Sequence, residues 1–229
     1  MRLHSLRNTI FASIALSVVA FAQPNVTVDT PYQIRYVANL NLGDSVINIT
    51  NSGARGAALA AGTTASTTGA ICVNVYAFSP DEQMISCCSC PVTPNGLVSL
   101  SARRDLVNNT LTPAVPTSIV VKLVATIPVG NTCSGSAANW GNLPLPSGML
   151  AWGTTVHAGA AAGSAAVITE TPFLPATLSG GGIVPPPDVF LGIGEARRLQ
   201  DLCTFIQANG SGFGICSSCR LGGLGAGRL

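Results

Sequence analysis

Four of the eight cysteines of this chain fall between Ile71 and Cys90, in ICVNVYAFSPDEQMISCCSC, and no other stretch constrains the fold as much. Apolar and polar residues alternate from Ile71 to Phe78, Ser79-Pro80-Asp81-Glu82 has the chemistry of a type I turn, and a second extended run from Gln83 ends in Cys87, Cys88 and Cys90. The segment is expected to be a β-hairpin with cross-links built into it. Neighbouring side chains of a strand point to opposite faces, so Cys87 and Cys88 should have different partners, one tying the sheet inward and the other reaching the C-terminal region. With the turn centred on Asp81, Cys72 lies opposite Cys90 and shares its face with Cys88. A one-residue slip puts Ser89 opposite Cys72 and brings Cys87 to that face instead.

The compartment follows from the N-terminus. MRLHSLRNTIFASIALSVVAFAQ combines Arg2 and Arg7, an apolar run from Ile10 to Phe21, and Ala20-Phe21-Ala22 before Gln23. These are the parts of a secretory signal, with cleavage expected after Ala22. The apolar run falls short of the roughly 20 residues of a membrane span. All the cysteines, Cys72, Cys87, Cys88, Cys90, Cys133, Cys203, Cys216 and Cys219, lie beyond the signal, in a compartment where disulfides form and persist. All are expected to be bridged, although spacing alone does not choose the connectivity. The expected location is secreted or extracytoplasmic, in a periplasm or at a cell surface, with no membrane span in the mature chain.

Once residues 1–22 are removed, nine basic residues face nine acidic ones, and Lys122 is the only lysine. Phosphate recognition needs clustered Lys and Arg, so nucleic acid is not an expected partner. Arg103-Arg104 and Arg197-Arg198 read as solvated faces. Charged residues are 9% of the chain, against about 25% in an average soluble domain. The surface must therefore be built from Ser, Thr, Asn, Gly and Ala, which gives little repulsion between copies. Such a surface suits an assembly, with the chain itself or another surface protein as partner.

Strand patterns follow one another along the chain. Tyr32 to Leu42 and Ser45 to Thr50 alternate, separated by Gly43-Asp44, and read as a hairpin or as two neighbouring strands of a sandwich. Ala54 to Gly69, almost without large side chains, reads as a mobile loop. After the cysteine hairpin, Pro91 to Gly96 is a turn, and Leu97 to Ser101 is a strand with Val98 and Leu100 on one face. Arg103 to Asn109 reads as polar loop. Ile119 to Ile127 has the β-branched content of a buried central strand whose one charge, Lys122, escapes toward an edge or snorkels. Asn131 to Ser147 is a loop holding Cys133 and Trp140. Met149 to His157 and Val167 to Thr171 complete the strands.

The fold class is therefore mainly β, an antiparallel β-sandwich of immunoglobulin-like type, with a small β-barrel as the alternative. The expected division is a signal peptide at 1–22, a sandwich domain at 23–178, a Gly/Pro linker at 179–192 and a C-terminal module at 193–229. In that module Leu199, Leu202, Cys203 and Ile206 form the stripe of an amphipathic helix over Glu195 to Asn209. The stripe should dock on the sandwich, fastened by Cys203, Cys216 or Cys219. The last ten residues read as disordered or open to a partner.

Candidate chemistry is sparse. Cys216-Ser217-Ser218-Cys219 has redox-pair spacing but lacks a following helix to lower a thiol pKa. Joined with Cys87, Cys88 and Cys90 it offers a four-sulfur zinc site, though the close spacing is unusual and an oxidising compartment removes the thiolates. His157 is the only histidine after the signal, no Gly-x-Ser-x-Gly elbow exists, and Asp81-Glu82 are explained by their turn. No catalytic residue, cofactor or metal ligand is assigned, and no enzymatic activity is expected. The leading expectation is a secreted, disulfide-stabilised sandwich with a structural or binding role, a self-associating surface component. The alternative is an extracytoplasmic thiol-redox or metal-binding protein using the C-terminal Cys-x-x-Cys.

Overall fold

The computed structural model describes residues 30–56, 69–107, 115–128, 133–135, 145–160, 164–178, 182–184, 189–191, 194–208 and 219. The signal segment with its cleavage site after Ala22, most of the small-residue run from Ala54, Trp140, Cys216 and the last ten residues lie outside them.

Alternation builds the strands β1 (Tyr32–Val37), β2 (Val46–Asn51), β3 (Ile71–Phe78), β4 (Met84–Val92), β5 (Leu97–Ser101), β6 (Ile119–Thr126), β7 (Met149–His157) and β8 (Val167–Pro172), followed by the two-residue β9 (Leu174–Pro175). They form two antiparallel sheets, ordered β4-β3-β6-β1-β9 and β5-β2-β7-β8. The inner faces meet in one core. Val37, Val73, Val75, Val121 and Leu123 come from the first sheet, and Ile47, Ile49, Val98, Leu100, Met149 and Ala151 from the second. This is the sandwich, not the barrel.

Neighbouring strands in sequence often lie in different sheets. β1 and β2 are not a hairpin: β1 pairs with β6 and β9, and β2 with β5 and β7. The first strand ends at Val37, not Leu42, because Asn39 adopts a left-handed φ of 60° and its carbonyl accepts the Leu42 N–H at 2.9 Å. That turn carries the chain from one sheet to the other, buries Leu40 and leaves Leu42 exposed.

The expected polar loop from Arg103 is instead partly a single π-helical turn, Ala102–Leu106. Ser101 caps it, accepting the Arg104 N–H at 2.9 Å, while Asp105 accepts the Ser101 N–H at 2.8 Å. The turn exists because Ala102, Leu106 and Val107 enter the core, a pull that the charged residues beside them conceal in the sequence.

β6 is central, hydrogen-bonded on both sides by β3 and β1. Lys122 neither reaches an edge nor ends in water. It projects from the outer face of the first sheet, 4.9 Å from the Phe78 ring centroid, and pairs with Glu195. Glu195 opens the helix α1 (Glu195–Ala208), where a carboxylate also suits the positive end of the helix dipole. Ala196, Leu199, Cys203 and Ile206 are buried against Tyr32, Tyr76, Phe78, Cys87 and Val124, with Leu202 packed at the margin. The helix thus makes a third layer on the outer face of the first sheet. Between the sandwich and this helix, the Gly/Pro connector carries a small ribbon of β10 (Gly182–Val184) and β11 (Val189–Leu191).

Two buried tyrosines beneath the helix make the fold sensitive to alkali. Burial, aided by the Glu195 charge, pushes the Tyr32 hydroxyl up to about 12, and burial raises Tyr76 as well. The folded state favours the neutral phenols, so their contribution is complete below the ordinary value of 10.0 and is lost as pH climbs toward about 12. In a Tyr36→Phe variant, phenolate absorbance and circular dichroism should therefore change together above pH 10. Phenolate formation near that pH with the sheet signal intact would contradict the assignment.

Candidate cysteine centre

The hairpin of β3 and β4 holds the centre, and its turn sets the register. Glu82 donates its N–H to the Ser79 carbonyl at 3.0 Å, Ser79 donates to the Gln83 carbonyl at 3.0 Å, and Glu82 has φ 67°. This is the three-residue loop in which a type I turn is followed by a left-handed residue. Phe78 opposite Met84 centres the turn on Asp81, but Ala77 lies opposite Ser86, so a bulge adds one residue to β4. Cys72 consequently faces Pro91, in neither of the two registers read from the sequence. The bulge also selects the faces: Cys87 joins the outer row of Cys72 and Tyr76, while Cys88 and Cys90 turn inward beside Val75 and Val73.

On the outer face Cys72 is bonded to Cys133, with Cα atoms 5.4 Å apart, and Cys87 to Cys203 of α1, at 5.7 Å. Polar groups there are satisfied within the layer. The Tyr76 hydroxyl donates to the Gly135 carbonyl at 2.9 Å, and the Asn74 amide donates to Thr126 Oγ1 at 3.0 Å and accepts from Ser89 Oγ at 2.6 Å. On the inner face Cys90 is bonded to Cys219, with Cα atoms 4.8 Å apart. Cys88 is disulfide-bonded too, and none of the described cysteines is free. The C-terminal module is thus fastened to both faces of one edge strand, and both Cys87 and Cys90 reach it.

Two expectations change. Cys219 is joined to Cys90 rather than to Cys216, so the Cys-x-x-Cys spacing does not mark a bridge between its own two members. Cys87 cannot contribute to a four-sulfur site with Cys88 and Cys90, because it lies on the opposite face of β4. What the inner face does assemble is a triad. The sulfurs of Cys88, Cys90 and Cys219 lie within 4.8 Å of one another, all buried, with Cys88 Sγ 3.9 Å from Cys219 Sγ. A cleft of about 500 Å³ reaches this group, lined by Cys88, Ser89, Pro91, Cys133, Gln207 and Cys219 among others.

His157, the last residue of β7, has its Nε2 2.8 Å from Thr169 Oγ1 on β8. Asp81 and Glu82 are turn residues.

Sequence reading passed over Arg35. On β1 it shares the inward row with Gln33 and Val37, is only 8% exposed, and lies between the sheets. Its Nη1 donates to the Thr171 carbonyl at 3.0 Å and its Nη2 to Thr155 Oγ1 at 2.9 Å. Desolvation lowers its pKa, partly countered by the Glu170 charge. Among the described residues the Nε has no hydrogen-bond partner, and it sits over Gly153 of β7, where a Cβ would come within 2.4 Å of it. Two unrelated oddities of the sequence, an arginine in an inward row and a glycine inside a strand, form one feature.

Comparison of the chain with protein-family models, with curated proteins and with solved structures finds no match.

Proposed function

We propose that this chain is an exported, disulfide-stapled β-sandwich protein with a structural or binding role, a self-associating component of a cell surface. The observation that carries this reading is β8. It is the outermost strand of its sheet, and among the described residues only β7 pairs with it. Its side chains stand in solvent, with Val167 55% and Ile168 66% exposed. An open edge of this kind presents unpaired backbone N–H and C=O groups to another strand. Antiparallel pairing of two copies about Thr169 sets Ile168 against Glu170 and Val167 against Thr171, so no like charges meet. The disulfides suit an oxidising compartment, and no helix among the described residues is long and apolar enough to cross a membrane.

Size-exclusion chromatography with light scattering on the chain lacking residues 1–22 tests the proposal. A concentration-dependent oligomer is expected, weakened by Ile168→Glu, which sets a second carboxylate against Glu170 of the other copy. A strictly monomeric protein at high concentration overturns it. A second reading, an extracytoplasmic thiol-redox or metal-binding protein, draws on the three clustered sulfurs. Counting free thiols by mass spectrometry without reductant separates the two, since a fully bridged structural protein shows none.

A further inference from the structure

We propose that Cys88, Cys90 and Cys219, once their disulfides have been opened by a dithiol, form a three-thiolate site for a soft metal ion, monovalent copper or zinc. This goes beyond the structural reading, which needs these cysteines only as bridges. Strand alternation places Cys88 and Cys90 on one face, and the uninterrupted pairing of Val75 with Cys88 and Val73 with Cys90 holds them there. Cys219 arrives from the C-terminal module and brings the third sulfur. A metal–sulfur bond of about 2.3 Å in a tetrahedral set implies sulfurs roughly 3.8 Å apart. The separation of 3.9 Å between Cys88 and Cys219 is already of that size, whereas Cys90 and Cys219, bonded to each other while oxidised, must move apart once reduced within a group that spans 4.8 Å.

The donor set is sulfur alone, which selects thiophilic ions over calcium or magnesium. The cleft at Cys88 and Cys219 gives a route in from solvent. Cys72–Cys133 and Cys87–Cys203 lie on the opposite face and hold the loop and the helix, so that Cys219 stays tethered sixteen residues beyond Cys203 when the inner bridges open. The chemistry balances. Each disulfide opened takes two electrons and two protons from a dithiol, small or protein-borne, which closes to its own disulfide. Metal binding then displaces the thiol protons of the three cysteines to the solvent.

The test uses the full chain without residues 1–22, treated with limiting dithiol until the inner-face cysteines are free by mass mapping. It is then titrated in separate arms with copper(I) and zinc(II) against a chromophoric chelator. One ion per chain is expected in at least one arm, with X-ray absorption showing a sulfur shell near about 2.3 Å. Cys88→Ser, Cys90→Ser and Cys219→Ser should each weaken binding by roughly a hundredfold, whereas His157→Ala, on β7 of the second sheet, should leave it unchanged. The proposal is overturned if the reduced chain binds neither ion, if it unfolds before these thiols appear, or if the ion has an oxygen or nitrogen shell. X-ray absorption on the wild-type chain decides the matter even where a serine variant fails to fold.

Discussion

Replacing Cys72 and Cys133 together by alanine is expected to lower stability by about 4 kcal/mol, more than replacing Cys87 and Cys203, for which about 3 kcal/mol is expected. Sequence separation argues the other way, since the first bridge spans 61 residues and the second 116. A cross-link acts by restricting the unfolded chain, and what counts is the ring that it alone closes. Cys90–Cys219 already closes the long loop between the sheet and the C-terminal module. With that bridge intact, Cys87–Cys203 adds only a ring of roughly 20 residues. No described bridge shortens the ring that Cys72–Cys133 closes in the same way. Denaturant unfolding of the two double variants, with the other disulfides verified by mass mapping, measures the difference. A larger loss for the Cys87–Cys203 pair would show that helix docking, rather than loop closure, dominates its contribution.

Gly153→Val should be the most damaging single substitution in the second sheet, costing about 3–5 kcal/mol. The new side chain would come within 2.4 Å of the Arg35 Nε and 2.7 Å of its Cδ, so the arginine would have to shift. Displacing it would break the bonds to Thr155 and Thr171 and leave a buried charge without them. A β-branched residue would otherwise favour a strand, so a simple propensity argument predicts the opposite sign. Arg35→Met separates the two accounts. By itself it should be within about 1 kcal/mol of the parent, because a well-packed apolar chain replaces a costly buried ion. In that background Gly153→Val should cost much less, giving a coupling of roughly 2 kcal/mol in a double-mutant cycle. Additive effects would mean that the strand itself, not Arg35, rejects the valine.

The elements that were legible in the sequence are those whose reasons are local. Ile119 to Thr126 reads as a buried strand because its side chains are β-branched, and the stripe of α1 reads as a docking face because it recurs at helical spacing. The π-helical turn was not legible. Its residues carry charges that favour a loop reading, and only the core position of Leu106 and Val107 reveals why the chain coils there. Arg35 and Gly153 were similarly hidden: each is intelligible only once β1 and β7 lie across the core from one another.

The cysteine hairpin divides the two kinds of information most clearly. The two-residue period of a strand determines that Cys87 and Cys88 point apart and that Cys88 and Cys90 point together, and the turn residues determine where the chain reverses. The sequence alone therefore specified a cross-linked hairpin with cysteines on both faces. Which face each cysteine took was decided by the single residue that the bulge adds, a displacement too small to leave a mark in composition. Which partner each found was decided by α1 and Cys219, which lie more than a hundred residues away in the chain and meet β4 on the surfaces that the folded sheets present. Local sequence carries the period of a strand; the register and the long-range pairing depend on contacts that exist only in the folded molecule.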